Sequence, residues 1–470
     1  MDVVRRWIKF SLIGVVVVGA TTFAAFEGVH MWVENVELVA NQDEEVRRFE
    51  WDQETEKWSG GENGGTDPAL GWKGRHAVRS AWIAQNWGTG PGTPVIRPDT
   101  LRDRVPDRPG TLNAVDSRLE YAHDFLNIAI SIAEERMPPS GRLHPFTLPN
   151  LLARHAGVLE RIGSRSSLLE SLSHYERIWA ALPGSGIGSA RIATKLGDLN
   201  QRLGESEEAL TWWARAIHLL QGDSKSQHAS LEPLVPPSHP PSPLAQRTLA
   251  SALVSLSAFY STSRQLAQAQ AVQVASLDLL RSIPTPESST SASPPEALHA
   301  LYLLHRSSLI SIHHAEILFA LRQPIDASVK WLQDAAQSSE RVVFALSGHP
   351  YTTSRSEDGA HHPQPPSESS LIPSYSESRV LNNPAASLLK NARRSAAEAW
   401  NLMGVLGETH GSDPKAVLSC YERALGWAGV GIKKNEGTRE SGNVTETEAR
   451  VFWANYVRAR EAIHQATGKT

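Results

Sequence analysis

Apolar and polar positions along most of this chain recur at intervals of three and four residues, the period of an amphipathic helix. The clearest stretch is 190–222, ARIATKLGDLNQRLGESEEALTWWARAIHLLQG, in which Ala193, Leu196, Gly197, Gly204, Ala209, Trp213 and Ala216 set small residues against large ones. Small residues are needed where two helix backbones approach, and large ones where a neighbouring hairpin must be filled, so the stretch predicts a close antiparallel helix pair. A different pattern opens the chain. Trp7 to Phe26, WIKFSLIGVVVVGATTFAAF, is apolar apart from Lys9 near its start, and as a helix it is long enough to span a bilayer. Arg5, Arg6 and Lys9 lie at its start, whereas Glu27 to Glu56 carries ten acidic residues against Arg47, Arg48 and His30. By the positive-inside rule the N-terminus stays on the cytoplasmic or matrix side and the rest of the chain lies across the membrane. A cleaved signal peptide is the competing reading, but the run is longer than a usual signal core and no small-x-small cleavage site follows it. An outer-membrane signal anchor would instead leave the large domain in the cytosol.

The spacing in 190–222 is that of a tetratricopeptide (TPR) unit, and it returns along the chain. Leu119 to Met137 has Tyr121, Ala122 and Phe125 on a leading helix but no clear second helix, as a cap would. A second unit begins near Leu151, with His155, Ala156, Leu159 and Gly163, followed by Tyr175 and Ile178. After the strong unit come a fourth at about 250–283, where Gln273 replaces the usual aromatic, and a fifth at about 308–340, with Ala315, Leu318, Ala327 and Trp331. A sixth covers about 397–430, with Trp400, Gly404, Gly411, Tyr421 and Ala424, and the helix Glu446 to Ala466 is polar enough on one side to close an array. The expected fold is therefore all-α: a TPR-like helical-hairpin solenoid with an N-terminal transmembrane helix and disordered insertions.

Between these elements the composition changes. Residues 27–112 form an acidic and then Gly-, Trp- and Pro-rich linker, interrupted by a short helix from about Lys73 to Asn86. Seven of the fourteen tryptophans fall by residue 87, so this segment carries too much apolar surface for a passive tether. The helix either packs its tryptophans against the first repeat as a cap or docks on the membrane surface. Residues 223–246, 284–296 and 347–386 are rich in Ser, Pro and His and read as flexible insertions. The organisation expected is an anchor at 1–26, the linker at 27–112 and the solenoid at 113–470.

A formal charge of −4 and no aromatic-basic interleaving argue against nucleic acid as a partner. The single cysteine, Cys420, excludes an intramolecular disulfide and any CxxC pair. No phosphate loop, HExxH or GxSxG is present. His313, His314 and Glu316 come nearest to a metal cluster, yet adjacent histidines on a helix diverge by about 100°. His361 and His362 lie in an insertion. No enzyme activity, cofactor or metal is expected.

In a TPR array the first helix of each unit lines the groove, so Arg191, Thr194, Asp198, Gln201 and Arg202 are the candidate partner contacts. A chaperone-tail clamp would place Lys or Asn at Thr194 and Asp198, and Asp198 would repel a terminal carboxylate. The short charged N-terminus, the anchor starting at Trp7, the Gly- and Trp-rich connection and the units at 190–222 and 397–430 together resemble the fungal TPR adaptor subunit of the mitochondrial inner-membrane i-AAA protease. That resemblance implies an anchor in the inner membrane, a TPR domain in the intermembrane space, and delivery of unfolded membrane-protein substrates to the protease for quality control. An import receptor or a respiratory-complex assembly factor with a TPR domain is the alternative.

Overall fold

The structure, a computed structural model, describes residues 2–54, 57–88, 95–96, 114–136, 143–182, 184–221, 235–286, 292–349, 370–430 and 445–467. A two-residue antiparallel pairing of Val95–Ile96 with Ala114–Val115 aside, these residues are helices and their connections. The helices divide between two compact units: residues 1–42, 52–184 and 199–205 in the first, and 43–51, 185–198 and 206–470 in the second.

The first unit begins with α1 (Asp2–Trp32), which runs into a π-helical turn at Val33–Glu37. Among the described residues this is the one helix long and apolar enough to cross a membrane, and the apolar window within Arg5–Glu37 is 0% buried by the rest of the chain. At about 1.5 Å per residue the apolar run from Trp7 to Phe26 alone covers the hydrocarbon thickness of a bilayer. The lower end of the same helix is joined to α4 (Gly71–Asn86), which matches the short helix expected in the linker. Glu34 accepts hydrogen bonds from the Thr66 amide (2.9 Å) and from Arg75 Nη2 (3.0 Å), and Arg79 Nε lies 3.5 Å from its other oxygen. His76 Nε2 meets Glu27 Oε1 at 3.1 Å. Trp82 is buried, with its ring 6.4 Å from that of Trp32 and 5.6 Å from that of Trp87. Helix α4 thus clamps the C-terminal end of α1 and the turn after it to the unit's core, and its buried face packs on α5 (Ser117–Arg136). Helices α5, α6 (Thr147–Ile162) and α7 (Arg165–Ala181) then pack each on the next. The α6–α7 turn is made by Ser164, whose hydroxyl accepts from the Ser167 amide at 3.1 Å and satisfies one of the free donors of the α7 N-terminus.

The second unit holds two short helical pieces of the linker and the remaining hairpins. The described chain enters it through α2 (Glu44–Arg48); α3 (Trp51–Glu54) leaves it again. Trp51 is fully buried there, donating from Nε1 to the Pro295 carbonyl at 2.9 Å, with the Arg247 guanidinium 3.8 Å over its ring. The hairpins are α8 (Gly186–Leu203) with α9 (Ser206–Leu220), α10 (Pro243–Thr262) with α11 (Leu266–Arg281), α12 (Pro294–Ala320) with α13 (Ile325–Ser347), and α15 (Asn382–His410) with α16 (Pro414–Ala428). A short helix α14 (Pro373–Ser376) precedes α15, and α17 (Glu446–Thr467) packs on α16. Leading helices also touch one another, α10 with α12 and α12 with α15.

The small positions read from the sequence are backbone-approach sites. A Cβ at Gly197 would sit 2.5 Å from the Trp213 ring, and one at Gly404 would sit 2.5 Å from the Tyr421 ring. Gly411 ends α15 in the left-handed region at φ 70°, which a side chain rarely adopts, and Asp413 then caps α16 by accepting from the Lys415 amide. Gln273, standing where an aromatic was expected, is fully buried and donates to Ser261 Oγ at 3.1 Å while accepting from His314 Nδ1 at 3.2 Å.

Three helices begin earlier than the pattern placed them. Helix α10 starts at Pro243, inside the stretch 223–246, α12 starts at Pro294, inside 284–296, and α14 and the start of α15 lie inside 347–386. Tyr375, Val380 and Leu381 there are buried in the core shared by α12 to α17. A Ser- and Pro-rich composition conceals such anchors, because a few apolar residues suffice to dock a segment on a surface already formed.

Candidate functional site

The five residues expected to contact a partner do not form one free polar face. Thr194 is 6% exposed and donates to the Ala190 carbonyl at 3.0 Å. Asp198 Oδ1 accepts from Trp213 Nε1 at 3.0 Å and from Ser255 Oγ at 2.8 Å, tying three helices of the second unit together. Arg191 and Gln201 are half-buried, and no donor among the described residues reaches Gln201 Oε1. Arg202 is exposed and lies 3.3 Å from the Glu160 carbonyl, both residues belonging to the first unit. Asp198 has the acidic character that sequence reasoning used against a chaperone tail, but its carboxylate serves the hairpin itself.

The site with room for a ligand lies elsewhere in the second unit. A groove of about 1150 Å³ runs between α11 and α13, with α12 as its floor and the segment around Tyr375 along one side. Leu280, Leu304, Trp331, Phe344 and Tyr375 supply apolar walls, and Arg341 stands exposed on the rim. The Arg281 guanidinium lies 5.6 Å from the Trp331 ring and reaches Asp278 at 3.8 Å, so the rim is polar and the wall aromatic. Such an arrangement suits a mainly apolar chain segment with a few polar groups, since aromatic and Arg side chains give large contact areas. Sequence reasoning did not find this groove. Its floor residues Ala297, Leu304 and Ser311 repeat at sevens along α12, but the period alone does not tell a groove floor from a core face.

Beside the groove lie His313, His314 and Glu316, the residues that come nearest to a metal cluster in the sequence. His313 meets Ser257 Oγ at 3.1 Å while His314 turns to Gln273 and stacks edge-on to Trp331, so the two rings diverge. Glu316, on the same helix, keeps an exposed side chain, yet partial desolvation by its neighbours and then repulsion from Glu398 on α15 push its pKa up to about 7. Burial pushes the Cys420 thiol above its usual range, which disfavours the reactive thiolate.

No protein-family profile matches the chain, and no curated protein matches it. Among solved structures it is similar to BtubC (BKLC) from P. vanneervenii at 16% identity and a TM-score of 0.34, with 62% of this chain and 98% of that one covered. A likeness this distant carries no argument.

Proposed function

We propose that the protein is a single-pass membrane adaptor whose helical hairpins stack as a TPR-like solenoid and hold an apolar segment of a partner protein. The observation that carries the reading is the aromatic-walled groove over α12, in a chain that also has an exposed apolar helix at its N-terminus. The clamp of Glu34 on Thr66 and Arg75 supports it, because it couples the anchor to the folded first unit. The contacts of α10 with α12 and of α12 with α15 favour stacked units over unrelated hairpins. With the resemblance to the i-AAA protease adaptor, the preferred setting is the mitochondrial inner membrane with the large domain in the intermembrane space. There the protein hands unfolded membrane-protein segments to the AAA protease and itself performs no chemical step.

Protease protection on intact and outer-membrane-ruptured mitochondria tests the setting. The reading expects the C-terminal domain to survive until the outer membrane is opened and the anchored chain to co-purify with an AAA protease. Digestion without rupture would instead favour an import receptor with a cytosolic array. Protection without any protease partner would favour an assembly factor.

A further inference from the structure

Three consecutive helices of the first unit bring imidazoles into a row. His123 on α5 is 7% exposed and His155 on α6 is fully buried, with His155 Nε2 only 2.7 Å from His123 Nδ1. His155 Nδ1 lies 2.9 Å from Nε2 of His174 on α7, and that nitrogen is 3.8 Å from Oε1 of Glu170, one turn earlier. The ligand atoms of His123, His155 and Glu170 all fall within 4.8 Å of one another. On the far side of the row, Asn127 Nδ2 stands 3.1 Å from His123 Nε2. Three imidazoles packed edge to edge are a poor choice for filling a helix interface, where hydrocarbon would pack without polar atoms to satisfy.

We propose that His123 Nδ1, His155 Nε2 and the Glu170 carboxylate form a three-ligand site for a divalent transition ion of the zinc class. The donor set is right for that class, two imidazoles and a carboxylate. Each helix contributes one ligand, so a bound ion would tie α5, α6 and α7 together. Zinc–nitrogen bonds of about 2.0–2.1 Å in a tetrahedral site place two nitrogens roughly 3.3 Å apart, so the His123 and His155 rings part by about half an ångström on binding. The groups behind the ligands are in place. With Nε2 on the ion, His155 carries its proton on Nδ1 and donates it to His174 Nε2, a partner that sets tautomer and ring angle. With Nδ1 on the ion, His123 carries its proton on Nε2, and the Asn127 amide turns its oxygen to accept it. The Glu170 side chain is 42% exposed, which gives the ion an entry path and leaves a fourth position for water. The sequence hid this site because its ligands come from three separate helices, with His123 and His155 32 residues apart, and no short motif joins them.

The test uses the full chain in detergent, stripped with chelator and passed through a desalting column after loading with Zn2+ or with Co2+ as a spectroscopic probe. The wild type should retain one equivalent, show the visible absorption of four-coordinate Co2+, and unfold at a higher temperature when loaded. E170Q changes only a half-exposed position and H123Q removes a ring nitrogen; both should lose retention. H174Q should keep the Co2+ spectrum but weaken binding by about tenfold or more. Two results would overturn the proposal: no retention by the wild type at micromolar ion, or retention by E170Q equal to the wild type with an unchanged Co2+ spectrum, which would place the ion on other histidines. Should H123Q fail to fold, judged by far-ultraviolet circular dichroism, E170Q alone decides.

Discussion

A buried carboxylate in the second unit draws together side chains of α15 and α16. Glu340 is 1% exposed and accepts from Trp400 Nε1 at 2.7 Å and from Trp427 Nε1 at 3.0 Å, with Arg423 3.6 Å away and stacked 3.7 Å over the Trp400 ring. Burial raises its pKa, while Arg423 and the two indoles act in the opposite direction. Glu340→Ala removes the acceptor of two buried N–H groups and the partner of a buried cation, and should cost about 3–5 kcal/mol in denaturant unfolding. Glu340→Gln, which keeps an acceptor oxygen, should cost less. Glu316 offers a pH test. Its folded pKa of about 7 exceeds the ordinary 4.5, so its contribution to stability is present below 4.5 and lost as pH rises through 7. Glu316→Gln should therefore flatten the fall in melting temperature across that interval and leave the value at the acidic end unchanged. The role of Glu340 was not legible in the sequence, because a glutamate on a helix reads as a solvated position until the neighbouring helices are placed around it.

Helices were the readable level, and the reason is steric. Gly197 and Gly404 stand where a partner ring allows no Cβ, and that rule of small against large is visible in any single sequence. Gly404→Val should force α15 and α16 apart and lower stability by about 1–3 kcal/mol, measured as a drop in denaturation midpoint at constant slope. The apolar helix α1 and α4 were equally legible, from a long apolar run and from apolar residues at helical spacing between Gly and Pro clusters. What the pattern missed were pieces whose fate depends on distant partners. Glu50 stands at the N-terminus of α10, accepting from the Ser242 hydroxyl and, at 2.9 Å, from the Leu244 amide, far along the chain from its own segment. Replacing Glu50 by Ala removes a carboxylate from a helix N-terminus, and hydrogen exchange at the first turn of α10 should quicken in that variant while the rest of the unit stays protected. Among the candidate contacts at 191–202, Thr194 and Asp198 are spent on internal bonds for the same kind of reason: a polar residue on a leading helix can turn inward as readily as outward.

For the whole chain, buried histidines set the response to acid. His299 and His305 are held down to about 3 and His313 to about 4, each mainly by burial, against an ordinary 6.5. Below 6.5 the unfolded chain binds protons that the folded chain refuses, so this stability is present above that pH and is lost as pH falls toward 4 and 3. Together with His314 these histidines outweigh the raised carboxyls of Glu316, Glu340 and Glu398, and the melting temperature should drop steadily on acidification from neutral to about pH 5. The central claim is that an anchored chain offers the groove over α12 to apolar segments of partner proteins, and a photoreactive amino acid in place of Arg341, at the groove rim, tests it in native membranes. The account predicts crosslinks to apolar segments of unfolded membrane proteins, lost when Trp331→Ala removes the aromatic wall and absent from a probe at Arg202. Crosslinking of the same species from Arg202 as from Arg341, or no effect of Trp331→Ala, would contradict it.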